Sequence, residues 1–445
     1  MRSLKFSQLA YAFSPMSDKE EYTYLLHTGS GAIARYNRIH EVQIQELLNG
    51  KCSKREQEAH EILKNEGFIV SEDKDEVLAI RDSFSRRFLQ NKPLELILLV
   101  TEQCNFRCIY CYENFEKGEM TEKTAVSIVE FVKKQLINFR GLQVGWFGGE
   151  PLLALPVIEY ISTELIRICR EMKKPYSASI TTNAYFLTYE IFKKLRKLKV
   201  HHFQVTIDGP TTIHDKQRVL ANGKPTFSII INNLKRIKNT DHSKIWSVSL
   251  RTNITKSVIN EREEYLREVV LPFADDDRFF FMLRRMWTNG TDEANRLVCN
   301  KKEYEAFCTS LDLPDHALLQ DYMFSYNFNS ACYAALSNSF VIGSDGEIYK
   351  CTLDLYDERN HLGHITENGE AVIDQEKLNK WITPKWCNDP SCYSCHEIGA
   401  CGGLGCPLRQ ETPCNRGFLD SISWCLPSFY RICKKSIDLD VYFNN

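Results

Sequence analysis

Residues 94–111 read LELILLVTEQCNFRCIYC, an apolar run followed by three cysteines in the spacing C-x3-C-x2-C. The run has the length and character of a strand that is buried on both faces. Cys104, Cys108 and Cys111 share one short loop after it. Three thiolates are one fewer than a structural zinc site requires, and disulfides use cysteines in pairs. The loop therefore predicts either a zinc site completed by a distant His or Cys, or an iron–sulfur cluster that leaves one iron open.

Five more apolar runs follow the first, and stretches with helical spacing, such as TAVSIVEFVKKQL, separate them. The six strand-like segments are residues 94–100, 142–147, 176–182, 201–207, 246–252 and 279–285. This alternation predicts an α/β fold, a parallel sheet of six strand–helix units that is open or partly closed into a barrel. Loops that follow parallel strands meet at the carboxyl edge of the sheet, so we expect the motifs after these runs to share one rim.

The segment before this core predicts a small α+β module. Strand-like stretches form a hairpin with its turn at Gly29 to Gly31, and helical stretches follow at about residues 40–48 and 53–67. A charged connector, residues 71–92, leads to the core, and the regular periodicity fades after about residue 300. The predicted domains are residues 1–90, 91–300 and 301–445.

Composition limits the function classes. The 56 Lys and Arg nearly balance the 58 Asp and Glu among 445 residues, so charge gives no reason to expect nucleic-acid or membrane binding. No continuous apolar segment resembles a secretory signal or spans a bilayer, and we expect a cytoplasmic protein. The odd number of 17 cysteines, 12 of them after residue 298, then favours metal or redox chemistry over disulfides.

Three polar motifs follow later strands in chain order: GGEP (148–151), TTNA (181–184) and TIDGP (206–210). Together with the cysteine loop they resemble the radical S-adenosylmethionine (SAM) enzymes over about residues 94 to 290. The resemblance implies that the three cysteines hold a [4Fe–4S] cluster whose open iron binds SAM. It places these residues near SAM: Tyr110, Gly148, Gly149, Glu150, Pro151, Thr182, Asn183, Thr206, Arg218 and Asn253.

The resemblance also implies roles for these residues. Glu150 and the GGEP backbone would contact the methionine amino group, and the two glycines would let the ligand approach bare backbone. Thr206 and Arg218 would contact the SAM carboxylate, and Asn253 would lie near the ribose. The implied chemistry is reductive cleavage of SAM to a 5′-deoxyadenosyl radical, which abstracts hydrogen from an unactivated C–H bond.

The C-terminal cysteines form a second pattern. Residues 332–351 read C-x13-G-x4-C, and residues 392–406 read C-x2-C-x5-C-x4-C. Apart from one extra residue in the last interval, this resembles the SPASM domain, which carries two auxiliary [4Fe–4S] clusters; two zinc ribbons are the alternative. The resemblance implies that the first cluster is held by Cys332, Cys351 and Cys406. The second is held by Cys392, Cys395 and Cys401, completed by Cys425 or Cys414. The fourth ligand of the first cluster is Cys387, Cys308 or Cys414, or that position is open to a substrate thiol.

SPASM-bearing radical SAM enzymes act mostly on peptides, which leaves two enzymatic hypotheses. We favour a maturase that crosslinks a ribosomally made precursor peptide through a thioether or carbon–carbon bond. About 90 residues precede the core, and they resemble the winged-helix recognition module of such maturases, whose sheet edge can bind a leader peptide. The alternative is an anaerobic sulfatase-maturing enzyme, which makes formylglycine. A non-catalytic electron-transfer or zinc scaffold is a third hypothesis.

The resemblance implies two partners, the precursor peptide and an electron donor such as ferredoxin or flavodoxin. The sequence identifies no catalytic acid or base.

Overall fold

The computed structural model describes residues 4–14, 21–54, 56–88, 92–286, 292–314, 316–317, 332–403, 426–433 and 436–443. Its strands are β1 (Leu4–Phe6), β2 (Ala10–Phe13), β3 (Tyr22–His27), β4 (Ile33–Asn37), β5 (Ile69–Ser71), β6 (Leu94–Thr101), β7 (Phe106–Cys108), β8 (Leu142–Gly148), β9 (Tyr176–Thr182), β10 (Val200–Thr206), β11 (Arg218–Leu220), β12 (Ser247–Ile254), β13 (Phe279–Arg285), β14 (Ser339–Ile342), β15 (Glu347–Tyr349), β16 (His361–Ile365), β17 (Ala371–Ile373) and β18 (Ser436–Asp438).

The α-helices are α1 (Glu41–Leu48), α2 (Gln57–Asn65), α3 (Glu76–Phe88), α4 (Glu122–Gln135), α5 (Leu155–Glu171), α6 (Tyr189–Lys197), α7 (Thr211–Gln217), α8 (Phe227–Thr240), α9 (Lys256–Asn260), α10 (Arg262–Tyr265), α11 (Asp292–Leu297), α12 (Lys301–Ser310), α13 (Gln375–Ile382), α14 (Ile398–Cys401) and α15 (Leu426–Ile432). The described residues divide into two compact units. The first draws on residues 1–90, 321–336 and 382–445, and the second on residues 91–320 and 337–381.

The second unit is built on a ten-stranded sheet with the order β13-β12-β10-β9-β8-β6-β14-β15-β16-β17. In this order, each strand from β13 through β6 pairs in parallel with the next, the last such pair being β6 with β14. The pairs from β14 through β17 are antiparallel. All six predicted strand segments form strands, so the predicted α/β fold with a parallel sheet is confirmed. Leu96, Leu98 and Val100 of β6 are buried, as the apolar run requires.

Polar caps begin the helices that follow these strands. Thr121 accepts a hydrogen bond from the backbone N–H of Thr124 at the start of α4, and Thr188 accepts one from Ile191 at the start of α6. Such caps satisfy N–H groups that have no partner inside the helix. The helices therefore begin at fixed positions. Six residues separate β9 from α6, whereas 20 residues, which include the cysteine loop, separate β6 from α4.

The first unit combines the start of the chain with its end. Its four-stranded sheet has the order β18-β4-β3-β2, with β18 parallel to β4 and the other pairs antiparallel. Arg35 of β4 donates to Asp438 of β18 over 2.6 Å. A core of Leu25, Ala34, Tyr36, Ile44, Leu47, Leu63 and Phe68 also includes Leu439. The predicted hairpin and the two predicted helices are present as β3–β4, α1 and α2.

Two features differ from the expected organisation. The charged connector contains α3, whose Val77 and Phe84 pack in a second core cluster with Trp386 and Ile398. The region after residue 300 contributes β14, which pairs in parallel with β6 and extends the sheet. Both elements depend on partners hundreds of residues away, so local periodicity gives no sign of them.

Candidate functional site at the carboxyl ends of the strands

The cysteine loop lies directly after β6 and is tied down by a short two-stranded sheet. Its residues 106–108 form β7, which pairs antiparallel with β11. In this register Cys108 lies opposite Arg218, so the pairing brings a distant predicted site residue to the loop. The backbone N–H of Cys111 donates to the carbonyl of Cys108 over 3.1 Å, which closes a turn between the second and third cysteines.

The three thiols are unoxidised, half-buried and close enough to affect one another. Burial raises the pKa of Cys104 to about 12 and that of Cys111 to about 11. Burial also raises the pKa of Cys108, whose charge raises that of both neighbours. A bound metal favours the thiolate and offsets the cost of burying its charge, so this thiol set fits a metal centre.

The arrangement bears on which metal centre fits. A zinc ion needs its ligands converged at about 2.0–2.3 Å from one point. Within the described ranges, no three His, Cys, Asp or Glu side chains converge in the way that a metal ion requires. An iron–sulfur cubane binds each thiolate to a different iron, so its ligands stay apart. Three thiols on one loop leave one iron of a cubane without a protein ligand, so the number of thiols here fits such a cluster.

The GGEP segment packs against the chain that leads into the cysteine loop. The N–H groups of Gly149 and Glu150 donate to the carbonyls of Thr101 and Gln103 over 3.1 and 2.9 Å. A Cβ at Gly148, whose φ is +104°, would lie 2.1 Å from the Thr101 oxygen, and one at Gly149 would lie 2.3 Å from the Gln103 oxygen. The glycines are therefore required by backbone packing, and the expected approach of a ligand to this backbone stays a prediction.

Glu150 joins GGEP to TTNA. Its fully buried carboxylate accepts hydrogen bonds from the N–H of Leu152 (3.0 Å), the hydroxyl of Thr182 (2.7 Å) and the N–H of Asn183 (2.7 Å). Burial raises the pKa of Glu150, and these donors oppose the rise. Pro151 is buried in the first turn of the short 3₁₀ helix that follows. The structure brings these predicted residues together through the protein's own hydrogen bonds.

TTNA in turn reaches the cysteine loop. The Asn183 Nδ2 donates to Asn105 Oδ1 over 2.8 Å and lies 3.9 Å from Cys104 Sγ. The Asn183 Oδ1 accepts from the N–H of Tyr185, which fixes the orientation of the amide. Asn183 therefore contacts the residue beside the first cysteine.

A polar group around the buried Asp208 joins Tyr110, Arg218 and Asn253. The Tyr110 hydroxyl donates to Asp208 Oδ2 and accepts from Arg218 Nη1 over 2.8 Å. The Asn253 N–H and Nδ2 donate to Asp208 Oδ1 over 2.9 and 3.1 Å. Thr206 ends β10 in register with Arg251 of β12. Sequence reasoning missed Asp208 as a site residue, although it stands in the TIDGP motif, because an aspartate before glycine also reads as a turn residue.

The neighbours of Arg218 have structural tasks. Burial lowers the pKa of His214, and the nearby charge of Arg218 lowers it further. The neutral ring accepts a hydrogen bond at Nδ1 from the N–H of Asp208 over 3.2 Å. Asp215 accepts from the N–H groups of Thr226 and Phe227 over 2.8 Å each, at the start of α8. These two residues of the TIDGP stretch therefore orient its loop and cap a helix.

Comparison with known proteins decides the family. The model of the Radical SAM superfamily matches residues 98–269. An uncharacterized protein of Methanocaldococcus jannaschii is 31% identical over 63% of this chain and 92% of its own length. The chain belongs to the radical SAM superfamily. Membership in this enzyme superfamily implies a SAM-binding [4Fe–4S] cluster and SAM, which the three-thiol loop fits.

Several relatives of this radical SAM protein have known activities. A cysteine-type anaerobic sulfatase-maturating enzyme of Clostridium novyi is 25% identical over 78% of this chain and 96% of its own length. The radical SAM cyclopropyl synthase TigE of Paramaledivibacter caminithermalis is 23% identical over 76% of this chain and 74% of its own. The solved structure of native anSMEcpe with bound AdoMet shares the fold, with 20% identity, a TM-score of 0.57 and coverage of 79% of this chain and 100% of its own.

The predicted auxiliary ligands of this radical SAM enzyme lie in both units. Cys392 and Cys395 belong to the second core cluster of the first unit, and Cys401 ends α14. The described chain also includes Cys308, Cys332, Cys351 and Cys387, of which Cys351 lies in the second unit with Cys308. Cys406, Cys414 and Cys425 lie outside the described residues. The two auxiliary ligand sets and the three-domain division stay predictions.

Within the described part of the chain, none of the helices has the length and apolar character needed to cross a membrane.

Proposed function

We propose that this radical SAM enzyme is a peptide maturase, which installs a thioether or carbon–carbon crosslink in a ribosomally made precursor peptide. The proposal is carried by the first unit, where Leu9 and helix α3 share one core with the C-terminal cysteine segment. The Thr28 hydroxyl donates to the carbonyl of His396 over 2.6 Å, and Tyr11 stacks on the His396 ring. A recognition module built into the cysteine segment suits an enzyme that must present a long substrate.

In this proposal residues 1–90 recognise the precursor, residues 91–300 bind SAM, and residues 301–445 hold two auxiliary [4Fe–4S] clusters. Strand β2 is the last strand of its sheet within the described residues, so an edge of the sheet lies there. A leader peptide can add to such an edge as a further strand. An electron donor such as ferredoxin or flavodoxin would reduce the SAM-binding cluster in the cytoplasm.

The proposed reaction balances in two steps. One electron supplied to bound SAM yields methionine and a 5′-deoxyadenosyl radical, which takes one hydrogen atom from the peptide. Bond formation with a second peptide atom releases a proton and one electron, and an auxiliary cluster would accept that electron. The peptide therefore loses two hydrogens for each crosslink and each 5′-deoxyadenosine formed.

Sulfatase maturation is the second candidate, and the 25% identity to a sulfatase-maturating enzyme supports it. One observation favours the first candidate. That alignment uses 96% of the relative but leaves 22% of this chain (100 − 78) outside it, so this chain carries an extra segment. A peptide substrate alone does not separate the two candidates, since one solved relative is anSMEcpe with AdoMet and the Cp18Cys peptide.

The first experiment tests SAM cleavage. The protein is reconstituted anaerobically with iron and sulfide, reduced with dithionite and assayed for 5′-deoxyadenosine. We expect wild type to form it, and Cys104→Ala, Cys108→Ala and Cys111→Ala to lose both activity and the SAM-dependent change in the cluster spectrum. Cys52→Ala is the matched control, since Cys52 is exposed and lies outside the site. A fully reconstituted wild type that forms no 5′-deoxyadenosine would contradict the enzymatic proposal.

The second experiment identifies the product. A short Cys-containing peptide encoded beside the gene is incubated with the reconstituted enzyme and analysed by mass spectrometry. A crosslink removes two hydrogens and leaves no aldehyde, whereas formylglycine reacts with a hydrazide probe. A hydrazide-reactive product from a sulfatase-derived peptide, with no change in the gene-adjacent peptide, would favour the second candidate.

A further inference from the structure

Asp208 is the residue at which three segments of the rim meet. It follows β10 and is fully buried. Its Oδ2 accepts from the Tyr110 hydroxyl and lies 3.8 Å from Arg218 Nη1. Its Oδ1 accepts from the N–H and the Nδ2 of Asn253. The three partners come from the cysteine loop, from β11 and from β12.

Burying a carboxylate is costly unless every oxygen is paired and hydrogen-bonded. Asp208 meets that condition, because both of its oxygens have donors and a guanidinium balances its charge. Its own N–H donates to His214, so its backbone is fixed as well. The position of the carboxylate therefore determines where its three partners can lie.

Asp208 differs from those partners in its access to a ligand. Tyr110 and Asn253 are half-buried, and the Arg218 side chain keeps 10% exposure, whereas Asp208 has none. The family resemblance implies that all three partners lie at SAM, whereas the fully buried side chain of Asp208 has no exposed surface with which to reach it. The guanidinium of Arg218 also packs 5.6 Å from the ring centroid of Phe106, on the cysteine loop.

We propose that Asp208 is a positioning residue, which holds Tyr110, Arg218 and Asn253 in the arrangement that binds SAM without touching SAM itself. The proposal rests on the proposed binding of SAM at this rim. Asp208→Asn keeps the shape of the side chain but places an amide against donors and removes the counter-charge of Arg218. The cysteine ligands are untouched, so the cluster itself should still assemble.

The matched control is Asp276→Asn. Asp276 is another largely buried aspartate paired with an arginine, and its Oδ1 accepts from the N–H and Nε of Arg278 over 3.0 and 2.8 Å. Asp276 lies just before the amino end of β13. The candidate site lies at the carboxyl ends of the parallel strands, so Asp276 is at the opposite edge of the sheet. Loss of this pair should lower stability without altering any residue of the rim.

The test compares wild type, Asp208→Asn and Asp276→Asn after anaerobic reconstitution. Four quantities are measured: iron content, melting temperature, the KM and maximal rate of SAM cleavage without peptide, and the spectrum of the reduced cluster as SAM is added. We expect Asp208→Asn to keep its iron. Its KM for SAM should rise at least tenfold, while its maximal rate falls less than threefold. The spectral change should need at least tenfold more SAM. Asp276→Asn should melt earlier with its KM within twofold of wild type.

Two results would overturn the proposal: a KM for Asp208→Asn within twofold of wild type, or a loss of iron and activity that only follows its melting temperature, as in Asp276→Asn. If Asp208→Asn does not fold, Tyr110→Phe tests the proposal instead, because it removes the hydrogen bond of the Tyr110 hydroxyl to Asp208 and keeps the aromatic ring. A severalfold higher KM at full iron content supports the proposal, and an unchanged KM overturns it. If wild type cleaves SAM and Asp208→Asn does so equally well, only this inference fails. A wild type without cleavage refutes the proposed function first.

Discussion

Glu150→Gln tests the most deeply buried part of the site. Among the described residues, three donors hydrogen-bond to the Glu150 carboxyl group, and the ionised form satisfies all of them. A glutamine must put its NH₂ group in place of one oxygen. If it replaces Oε2 it faces the N–H of Asn183, and if it replaces Oε1 it faces the N–H of Leu152. Either way one buried backbone donor loses its acceptor.

The magnitude follows from that count. An unsatisfied buried donor costs about 1–3 kcal/mol, and hydrogen bonds to a charged acceptor are stronger than those to a neutral one. Relief from burying the charge works in the opposite direction, since burial raises the pKa of Glu150. We therefore expect a net local destabilisation of about 2 kcal/mol, which corresponds to about a 30-fold increase in the opening equilibrium of the rim.

Native-state hydrogen exchange measures this opening directly. The amides of Leu152 and Asn183 should exchange about 30-fold faster in Glu150→Gln than in wild type under conditions where opening is reversible. Glu171→Gln is the control, since Glu171 pairs with Arg167 on the exposed surface of α5. That change should leave stability within about 0.5 kcal/mol and both amides unaffected. Exchange within threefold of wild type at both amides of Glu150→Gln would refute the hydrogen-bond reasoning.

Three further changes test packing and pH dependence. Gly148→Ala should lower stability by more than about 2 kcal/mol and reduce iron uptake, because φ is +104° and the new Cβ meets the Thr101 carbonyl. Gly223→Ala is the control: it also lies at positive φ but in open space, so it measures the cost of the backbone conformation without the clash. Burial lowers the pKa of His202 to about 4, so the unfolded state takes up a proton first as the pH falls below 6.5. In the cluster-free protein His202 should contribute a loss of up to about 3 kcal/mol between pH 6.5 and 4, so His202→Gln should lose less stability than wild type in urea denaturation; equal losses would contradict this. Phe84→Ala should destabilise the first unit by about 3–5 kcal/mol, seen as faster exchange in α14, and unchanged exchange would show that α3 does not pack on the cysteine segment.

The sequence predicts what depends on short-range pattern. The six apolar runs became parallel strands because each is long enough to be buried on both faces, and the motifs after them share a rim because parallel strands end on one edge. The hairpin of β3 and β4 followed from its glycine turn. The family motifs also predict Tyr110, Arg218 and Asn253 as neighbours of SAM; the structure brings the three side chains to one carboxylate, Asp208, and their contact with SAM stays a prediction.

What the sequence does not predict depends on long-range pairing. The four residues of β14 look like any apolar tetrapeptide until they pair with β6, and β18 pairs with β4 across the length of the chain. The register that sets Arg218 opposite Cys108 joins two three-residue strands, which are too short to carry a period. The TIDGP motif marks the loop that carries Asp208, but the role of this residue arises from partners on three other segments.

These contacts explain how three cysteines on one loop can be enough to hold a cluster in place. Four ligands from separate segments would tie those segments together and so fix the position of a cluster. Three thiols on one eight-residue loop tie no segments together, so the loop itself must be held by its neighbours. Here the neighbouring loops hold it: Asn183 reaches Asn105, Asp208 holds Tyr110, and β11 pairs with residues 106–108. Because outer contacts of this kind orient the ligands of a metal, a change in any of them should alter how the cluster responds to SAM before it alters the fold. On this reasoning the open iron is sustained by the rim as a whole, and the residues that hold the loop are as much a part of SAM binding as the cysteines themselves.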